Sequence, residues 1–260
     1  MHITPIPTPL IERGQRLAEV LARAMPRRLR EREIICVASK VVSVEQGRMV
    51  DLATVEPSPA ARQMPRLDRT KDPETYARYA ELILREAEHV FNGGVIWLTL
   101  KDGVLIANAG IDLSNAPAGH AILWPERPWE WAHDFRRALR AIYDVRDLGV
   151  IVTDGRSVPL RRGFVGMALA YSGFEGIENQ KGKPDLFGRP LQFTEKMMAD
   201  GLAAAAVLVG GEAAESTPFV LIEDAPVTFT DRRIEPREAF IRPEIDIFAG
   251  VFSPDFIALA

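Results

Sequence analysis

Apolar residues enter this 260-residue chain only in short runs, and the longest, Leu202 to Val209, has eight residues of which half are alanine. A bilayer-spanning helix needs roughly 20 apolar residues, so no membrane span is expected. Runs this short must instead fold as strands and amphipathic helices that bury one another. With 47% hydrophobic and 26% charged residues the composition is that of an ordinary globular protein. Length leaves one large domain or two small ones open.

The runs have readable periods. Residues 14–25 set Leu17, Val20, Leu21 and Ala24 at helical spacing, which predicts an amphipathic helix ending near Pro26. Glu33–Ser39 and Val41–Val44 are β-branched and read as two strand segments near a loop, before the turn-like Glu45-Gln46-Gly47. Pro57, Pro59 and Pro65 break regular structure. A helix is expected from Pro73 to about His89, with Asp72 as N-cap and Asn92-Gly93-Gly94 ending it. Val95–Leu100 and Val104–Ala107 flank Asp102-Gly103 as a β-hairpin would. Pro128 to about Tyr143 reads as a helix, Gly149–Thr153 as a buried strand, Thr194–Val209 as a helix capped by Gly210-Gly211, and Phe219–Ile222 as a strand. No period of 20–50 residues recurs, which argues against a solenoid or propeller. Mixed α and β is the expected class.

Charge narrows the partners. The net charge is −4, without the basic excess that phosphate-backbone binding needs, so nucleic acid is not an expected partner. Residues 1–32 carry a local +4 and residues 221–260 a local −4, and these ends either meet across an interface or stay solvated. Residues 1–9 show no charged segment followed by an apolar one, so a cytoplasmic address is expected. A single cysteine, Cys36, excludes an intrachain disulfide and a cysteine-rich zinc site. It sits in an apolar run, where a small core residue is expected rather than a nucleophile. His2, His89, His120 and His133 are scattered. The common phosphate-loop, dinucleotide, nucleophile-elbow and His-x-x-x-His patterns are absent.

What remains is a set of polar loops that begin where apolar strands end. Asp112 and Asp154 are the carboxylates most clearly placed there. Two hard oxygen ligands on rigid strands suit Mg²⁺ or Mn²⁺ carrying substrate phosphates. The competing reading is that each aspartate caps a turn or helix.

Five blocks, in order, carry a resemblance. They are Ala38-Ser39-Lys40-Val41-Val42-Ser43 with Glu45-Gln46-Gly47-Arg48; Ala107-Asn108-Ala109-Gly110-Ile111-Asp112-Leu113-Ser114-Asn115; Val150-Ile151-Val152-Thr153-Asp154; Asp185-Leu186-Phe187-Gly188-Arg189-Pro190-Leu191; and Ala199-Asp200-Gly201-Leu202 with the following alanines. Together they resemble the coenzyme F420-0:γ-glutamyl ligases from about residue 5 to 224. The resemblance implies a GTP-dependent enzyme that joins L-glutamate by an amide bond to a cofactor-precursor carboxylate through an acyl phosphate, with two divalent metals. It implies an α+β fold of mixed sheets with flanking helices, in an intertwined homodimer. By position, Asp112 and Asp154 match aspartates that hold one metal, and Glu212 a ligand of the second. Ser39, Lys40 and Asn115 match nucleotide-contacting residues, as do the segments containing Pro9, Leu10 and Ile11 and Gly210, Gly211 and Ala213. Lys40, Asp112 and Asp154 would act in catalysis, Lys40 by supplying fixed positive charge to the phosphates and the aspartates by holding the metal.

The departures are also informative. Where the family reads Asp-Thr-Phe-Gly-Arg-Pro-Trp-Arg, this chain reads Asp154-Gly155-Arg156-Ser157-Val158-Pro159-Leu160-Arg161. Gly155 thus replaces a threonine that helps bind the second metal, leaving Ser157, a backbone carbonyl or water to substitute. Val158 replaces an arginine whose charge Arg156 could cover. Val44 replaces a phosphate-contacting lysine, and Lys181-Gly182-Lys183-Pro184 replaces Arg-Gly-Gln-Thr. These changes point to an altered acceptor, for instance a pterin or furan C1-carrier cofactor, or to an altered second-metal site. From a different class, a non-catalytic nucleotide-binding paralogue competes with the ligase reading. The organisation expected is a ligase-like domain over 1–224 and a C-terminal extension over 225–260, packed on the core or on a partner.

Overall fold

The computed structural model describes residues 1–65, 72–91 and 96–249, with strand β2 (Glu33–Ala38) at its centre. Ile34, Ile35, Cys36 and Val37 are buried on both faces of that strand, so it needs a neighbour on each edge and a layer on each side. The edges are taken by β12 (Phe219–Glu223), antiparallel, and β8 (Leu148–Ser157), parallel. β1 (His2–Ile6) and β9 (Phe164–Ser172) complete a five-stranded mixed sheet in the order β1-β12-β2-β8-β9. β1 contains Pro5, which a strand tolerates at the edge of a sheet. Burial pushes the Cys36 thiol well up from its ordinary value, in keeping with a core residue.

Helices α5 (Pro128–Tyr143) and α6 (Met198–Gly210) cover the two faces. The Phe219 ring stacks on Phe135 of α5, with centroids 6.5 Å apart. The next residue, Val220, meets α6: a β-carbon on Gly210 would stand 3.1 Å from its Cγ2. Successive strand residues point to opposite faces, so the two helices lie on opposite sides of the sheet. α1 (Leu17–Ala24) packs against α5. The segment after Asp224 buries Ala225, Val227 and Ile234 in the same core. Asp231 accepts a hydrogen bond from Arg136 at 2.7 Å, and Phe174 bridges to Phe229. Residues 250–260, the end of the expected extension, lie outside the described residues.

A second core gathers Leu52, Tyr79, Ile83, Trp97, Ala109, Ile111 and Leu123. It lies among α4 (Pro73–Glu86), the sheet of β4 (His89–Phe91), β5 (Leu98–Lys101) and β6 (Val104–Ala107), and the ribbon of β3 (Met49–Asp51) with β7 (His120–Ile122). The short α3 (Pro59–Gln63) packs on α4. Arg48 bridges the two cores, donating to the Trp124 carbonyl at 2.6 Å and pairing with Glu86 at 2.6 Å.

The expected α+β class is what the chain forms, with local corrections. Val41–Val44 is not a strand but part of α2 (Ser39–Glu45). Its buried residues are Ser39, Val42, Ser43 and Val44, of which the first three fall at helical spacing, and burial outweighs β-branched propensity there. α4 begins on the expected Asp72 cap, whose side chain accepts from the Glu74 and Thr75 N–H groups. It ends at Glu86, because His89 pairs instead with Leu100. α6 starts at Met198, because β11 (Glu195–Met197) pairs with β10 (Ile177–Asn179). The hairpin turn Asp102-Gly103 is as expected, with φ of 49° and 76°; Asn92-Gly93-Gly94 and Val95 lie outside the described residues. No helix among the described residues is long and apolar enough to cross a membrane.

Helix and sheet approach closely at Gly166 on β9. A β-carbon there would stand 2.6 Å from the Ala203 carbonyl oxygen and 2.7 Å from Val207 Cγ2. Gly166→Ala is therefore expected to push α6 from the sheet and to destabilise by about 1–3 kcal/mol, measured by urea denaturation.

Candidate active site

Parallel pairing brings the two ends of the central strands together. β2 and β8 run in register to Ala38 opposite Thr153, so the residues that follow, Ser39 and Asp154, emerge side by side. The Ser39 hydroxyl donates to Asp154 Oδ2 at 2.9 Å, and the Gly155 N–H donates to Oδ1 at 2.7 Å. β8 does not end at Asp154, as the sequence pattern suggested, but continues to Ser157 along β9. The register shifts between Val152 and Thr153, leaving Leu169 of β9 as an extra residue just before the carboxylate. Such a bulge re-aims the residues that follow it.

Lys40, the next residue on α2, crosses to the other aspartate. Its Nζ lies 2.7 Å from Asp112 Oδ2 and donates to Ser114 Oγ at 2.8 Å. The Asp112 backbone is held by reciprocal hydrogen bonds with Ile122, at 2.9 and 2.8 Å. From a third direction comes the loop after α6. Gly211 has φ of 79°, the Thr217 hydroxyl donates to the Gly210 carbonyl, and the Asn115 amide donates to the Ala213 carbonyl at 2.9 Å. Thr8 N–H donates to the Ser216 carbonyl at 2.9 Å, which seats the segment Pro9-Leu10-Ile11 beside this loop.

These elements enclose two cavities with a common wall. One, of about 640 Å³, is lined by Tyr76, Tyr79, Ile96, Trp97, Ile106 and Leu113 among others. The other, of about 550 Å³, is lined by Thr8–Ile11, Val41, Val44, Asn115 and Gly210–Pro218. Ser39, Lys40, Asp112, Asp154, Gly155, Ile122 and Phe164 belong to both. All the residues singled out from sequence, Pro9, Leu10, Ile11, Ser39, Lys40, Asp112, Asn115, Asp154, Gly210, Gly211, Glu212 and Ala213, thus face one groove. Ser114, the partner of Lys40, and Phe164 were not singled out. Ser114 stands in an evident polar loop, but Phe164 has no local signal, since only the β8–β9 pairing brings it to the wall.

The two aspartates differ electrostatically. Burial pushes Asp154 up to about 6; the Ser39 hydroxyl, the Gly155 N–H and the Lys40 charge offset this only in part, and Asp112 adds repulsion. Burial also opposes ionisation of Asp112, but the Lys40 ammonium and the Ser114 N–H hold its carboxyl below the usual range. The wall therefore presents one carboxylate already paired with a cation and another that lacks one. Oxygen donors of this kind fit Mg²⁺ or Mn²⁺, which commonly take one or two carboxylates and complete their shell with substrate phosphates and water. Among the described residues no three His, Cys, Asp or Glu side chains converge, so Glu212 does not join the aspartates in one cluster. It stands instead against Gly155, where a β-carbon would lie 3.0 Å from Glu212 Oε1.

Arg156 pairs with Asp200 of α6 at 3.2 Å, and neither it nor Ser157 lines either of these two cavities. Lys181 and Lys183 pair with Glu195 and Glu178 on the β10–β11 arm, at 2.7 and 3.2 Å.

Residues 5–224 match the family model described as F420-0:Gamma-glutamyl ligase. The chain is 40% identical over 255 residues to the coenzyme F420:L-glutamate ligase of Methanopyrus kandleri, covering 95% of this chain and 97% of that protein. It is 35% identical over 251 residues to the protein of the same name from Methanothermobacter thermautotrophicus, covering 93% and 96% of the two chains. With the Methanocaldococcus jannaschii protein, also so named, it shares 33% identity over 246 residues, covering 92% and 95%. A match over this range, with relatives this similar along nearly their whole length, means that the chain belongs to the F420-0:gamma-glutamyl ligase family.

Proposed function

We propose that this protein is a nucleotide- and divalent-metal-dependent ligase that joins L-glutamate by an amide bond to a cofactor-type carboxylate of the F420-0 class, with GTP as the nucleotide. The observation that carries the reading is the common wall. A nucleotide in the groove and an acceptor in the aromatic-lined chamber would meet at Lys40, Asp112 and Asp154, where a phosphoryl group must pass between them.

The chemistry has two steps. An acceptor carboxylate oxygen attacks the γ-phosphorus and the nucleoside diphosphate leaves; the glutamate amine, having shed a proton, then attacks the acyl carbon and inorganic phosphate leaves. Charge spreads over the non-bridging oxygens during the first step, and a cation positioned beforehand stabilises it without reorganisation. Lys40 is held in place for this by Asp112 and Ser114. Ser39 orients Asp154. Mg²⁺ or Mn²⁺ held by Asp112 and Asp154, with Glu212 available to a second ion, would supply the remaining neutralisation of the phosphates. The backbone of the Gly210-Gly211 loop can approach phosphate closely, and Asn115 braces that loop through Ala213. Trp97, Tyr76 and Tyr79 in the chamber wall help to keep the acyl phosphate from water.

The reading includes a cytoplasmic, homodimeric enzyme. The β10–β11 arm displays Leu186, Phe187 and Phe193 to solvent in the single chain, an apolar face of the sort that a second copy covers. Beyond the folded domain over 1–224, residues 225–249 serve as a strap on the main core.

Incubation with GTP, Mn²⁺, glutamate and F420-0 should release phosphate and add one glutamyl mass to the acceptor. Turnover only with a pterin or furan cofactor would reassign the acceptor. Nucleotide binding without turnover on any acceptor would mark a non-catalytic paralogue. Lys40→Ala is expected to lower kcat by about 10²–10³ with the fold intact. Asp154 supplies a test without turnover. In the metal-free protein its raised pKa means that folding favours the protonated form, so stability is greatest below the ordinary carboxylate range and declines as pH rises toward about 6. Asp154→Asn should therefore raise metal-free stability by on the order of 1–3 kcal/mol at about pH 8 and leave it unchanged near about pH 3, while weakening Mn²⁺ binding. Thermal melts across pH and Mn²⁺ titration read both effects.

A further inference from the structure

The segment that delivers Asp112 to the wall is a left-handed turn. Asn108, Ala109 and Gly110 have φ of 51°, 54° and 69° in succession. Glycine takes such angles freely and asparagine tolerates them, but alanine does not, and single left-handed residues rather than runs are the rule. Ala109 is nevertheless completely buried there. Strain of this kind persists only where the surroundings over-determine it, and it clusters at functional sites.

Asn108 is held by Trp97, donating its N–H to the Trp97 carbonyl at 2.8 Å and accepting the Trp97 N–H on its side chain at 3.2 Å, and Ala109 is held by one hydroxyl. Thr99 of β5 is a completely buried polar residue. Its Oγ1 accepts the Ala109 N–H at 2.7 Å and donates to the Ile106 carbonyl at 2.6 Å. It thereby ties the strained residue to the strand that leads into the turn. Beyond the turn, Tyr79 donates to the Ile111 carbonyl at 3.2 Å, and Asp112 enters its bridge with Ile122. Gly110 is obligatory, since a β-carbon there would fall 2.0 Å from the Trp124 ring.

We propose that Thr99 is a positioning residue: its buried hydroxyl holds the left-handed turn that sets Asp112 in the common wall, without touching substrate or metal. The inference rests on the reading of Asp112 as a functional carboxylate. Thr99→Val keeps the shape, removes the hydroxyl and leaves the Ala109 N–H without its acceptor. Thr99→Ser keeps the hydroxyl.

Two measurements test it: residue-resolved amide exchange at Asp112 and Ile122, and the Kd for Mn²⁺ alone. In Thr99→Val, exchange at those amides should rise and Mn²⁺ affinity fall, each by about tenfold or more, with Thr99→Ser close to wild type in both. Asp154→Asn should lose Mn²⁺ affinity while keeping wild-type exchange at Asp112, which separates a ligand from a positioner. Unchanged exchange in Thr99→Val overturns the proposal, and so does faster exchange with unchanged Mn²⁺ affinity. Should the wild-type protein bind no Mn²⁺, the metal reading fails by itself, and the exchange rates alone decide whether Thr99 places Asp112. If Thr99→Val does not fold, Thr99→Cys, which keeps a polar side chain of similar size but with only a weakly accepting thiol, carries the same comparison.

Discussion

The parallel pairing of β2 with β8 is the constraint on which the site depends. Two strands 115 positions apart run in register to Ala38 and Thr153, and their next residues are Ser39 and Asp154. Parallel neighbours need a long crossover connection, and here that connection contains the whole second core. Closing the pair therefore places the second core, with Asp112, next to the ends of the same two strands. The apolar burial that drives β2 and β8 together and the polar contacts at their ends are formed in one event.

The wall that results is electrostatically unbalanced in a useful way. Lys40 neutralises Asp112, while Asp154 sits deep beside it with only a hydroxyl and one N–H to support its charge. A buried carboxylate without a cation is expensive to maintain in a structure unless a cation arrives with the ligand. This wall stands between a groove and an aromatic-lined chamber and belongs to both. The bulge at Leu169 and the left-handed turn at Asn108–Gly110 each stand within a few residues of one aspartate. Irregular backbone thus stands at both places where a strand must aim a carboxylate.

Gly155, Arg156 and Val44, singled out in the sequence, have three different surroundings. Gly155 gives the Glu212 carboxylate room to approach β8 directly. Arg156 turns to Asp200 and helps fasten α6 to the sheet rather than entering a cavity. Val44 lines the groove. Of the two aspartates, Asp112 is paired with Lys40, while Asp154 keeps only the Ser39 hydroxyl and the Gly155 N–H.

Much of this was legible in the residues alone. The buried strand around Ile34–Val37, the amphipathic helices over Pro73–Glu86 and Pro128–Tyr143, and the Asp102-Gly103 hairpin follow from local period, capping and turn chemistry. Asp112 and Asp154 stood out because each follows an apolar run. Local pattern failed where burial overrode propensity, as in the helix Ser39–Glu45, and where a partner strand decided the outcome, as in the continuation of β8 past Asp154. The sequence by itself determined which side chains could do chemistry. Only the tertiary structure decided that Lys40 neutralises one aspartate and leaves the other without a cation, that Arg156 is spent on Asp200, and that Thr99 secures Ala109. The reason is physical: each of these depends on pairing between segments far apart in the chain, and no local period records which distant group will be at hand when both are buried.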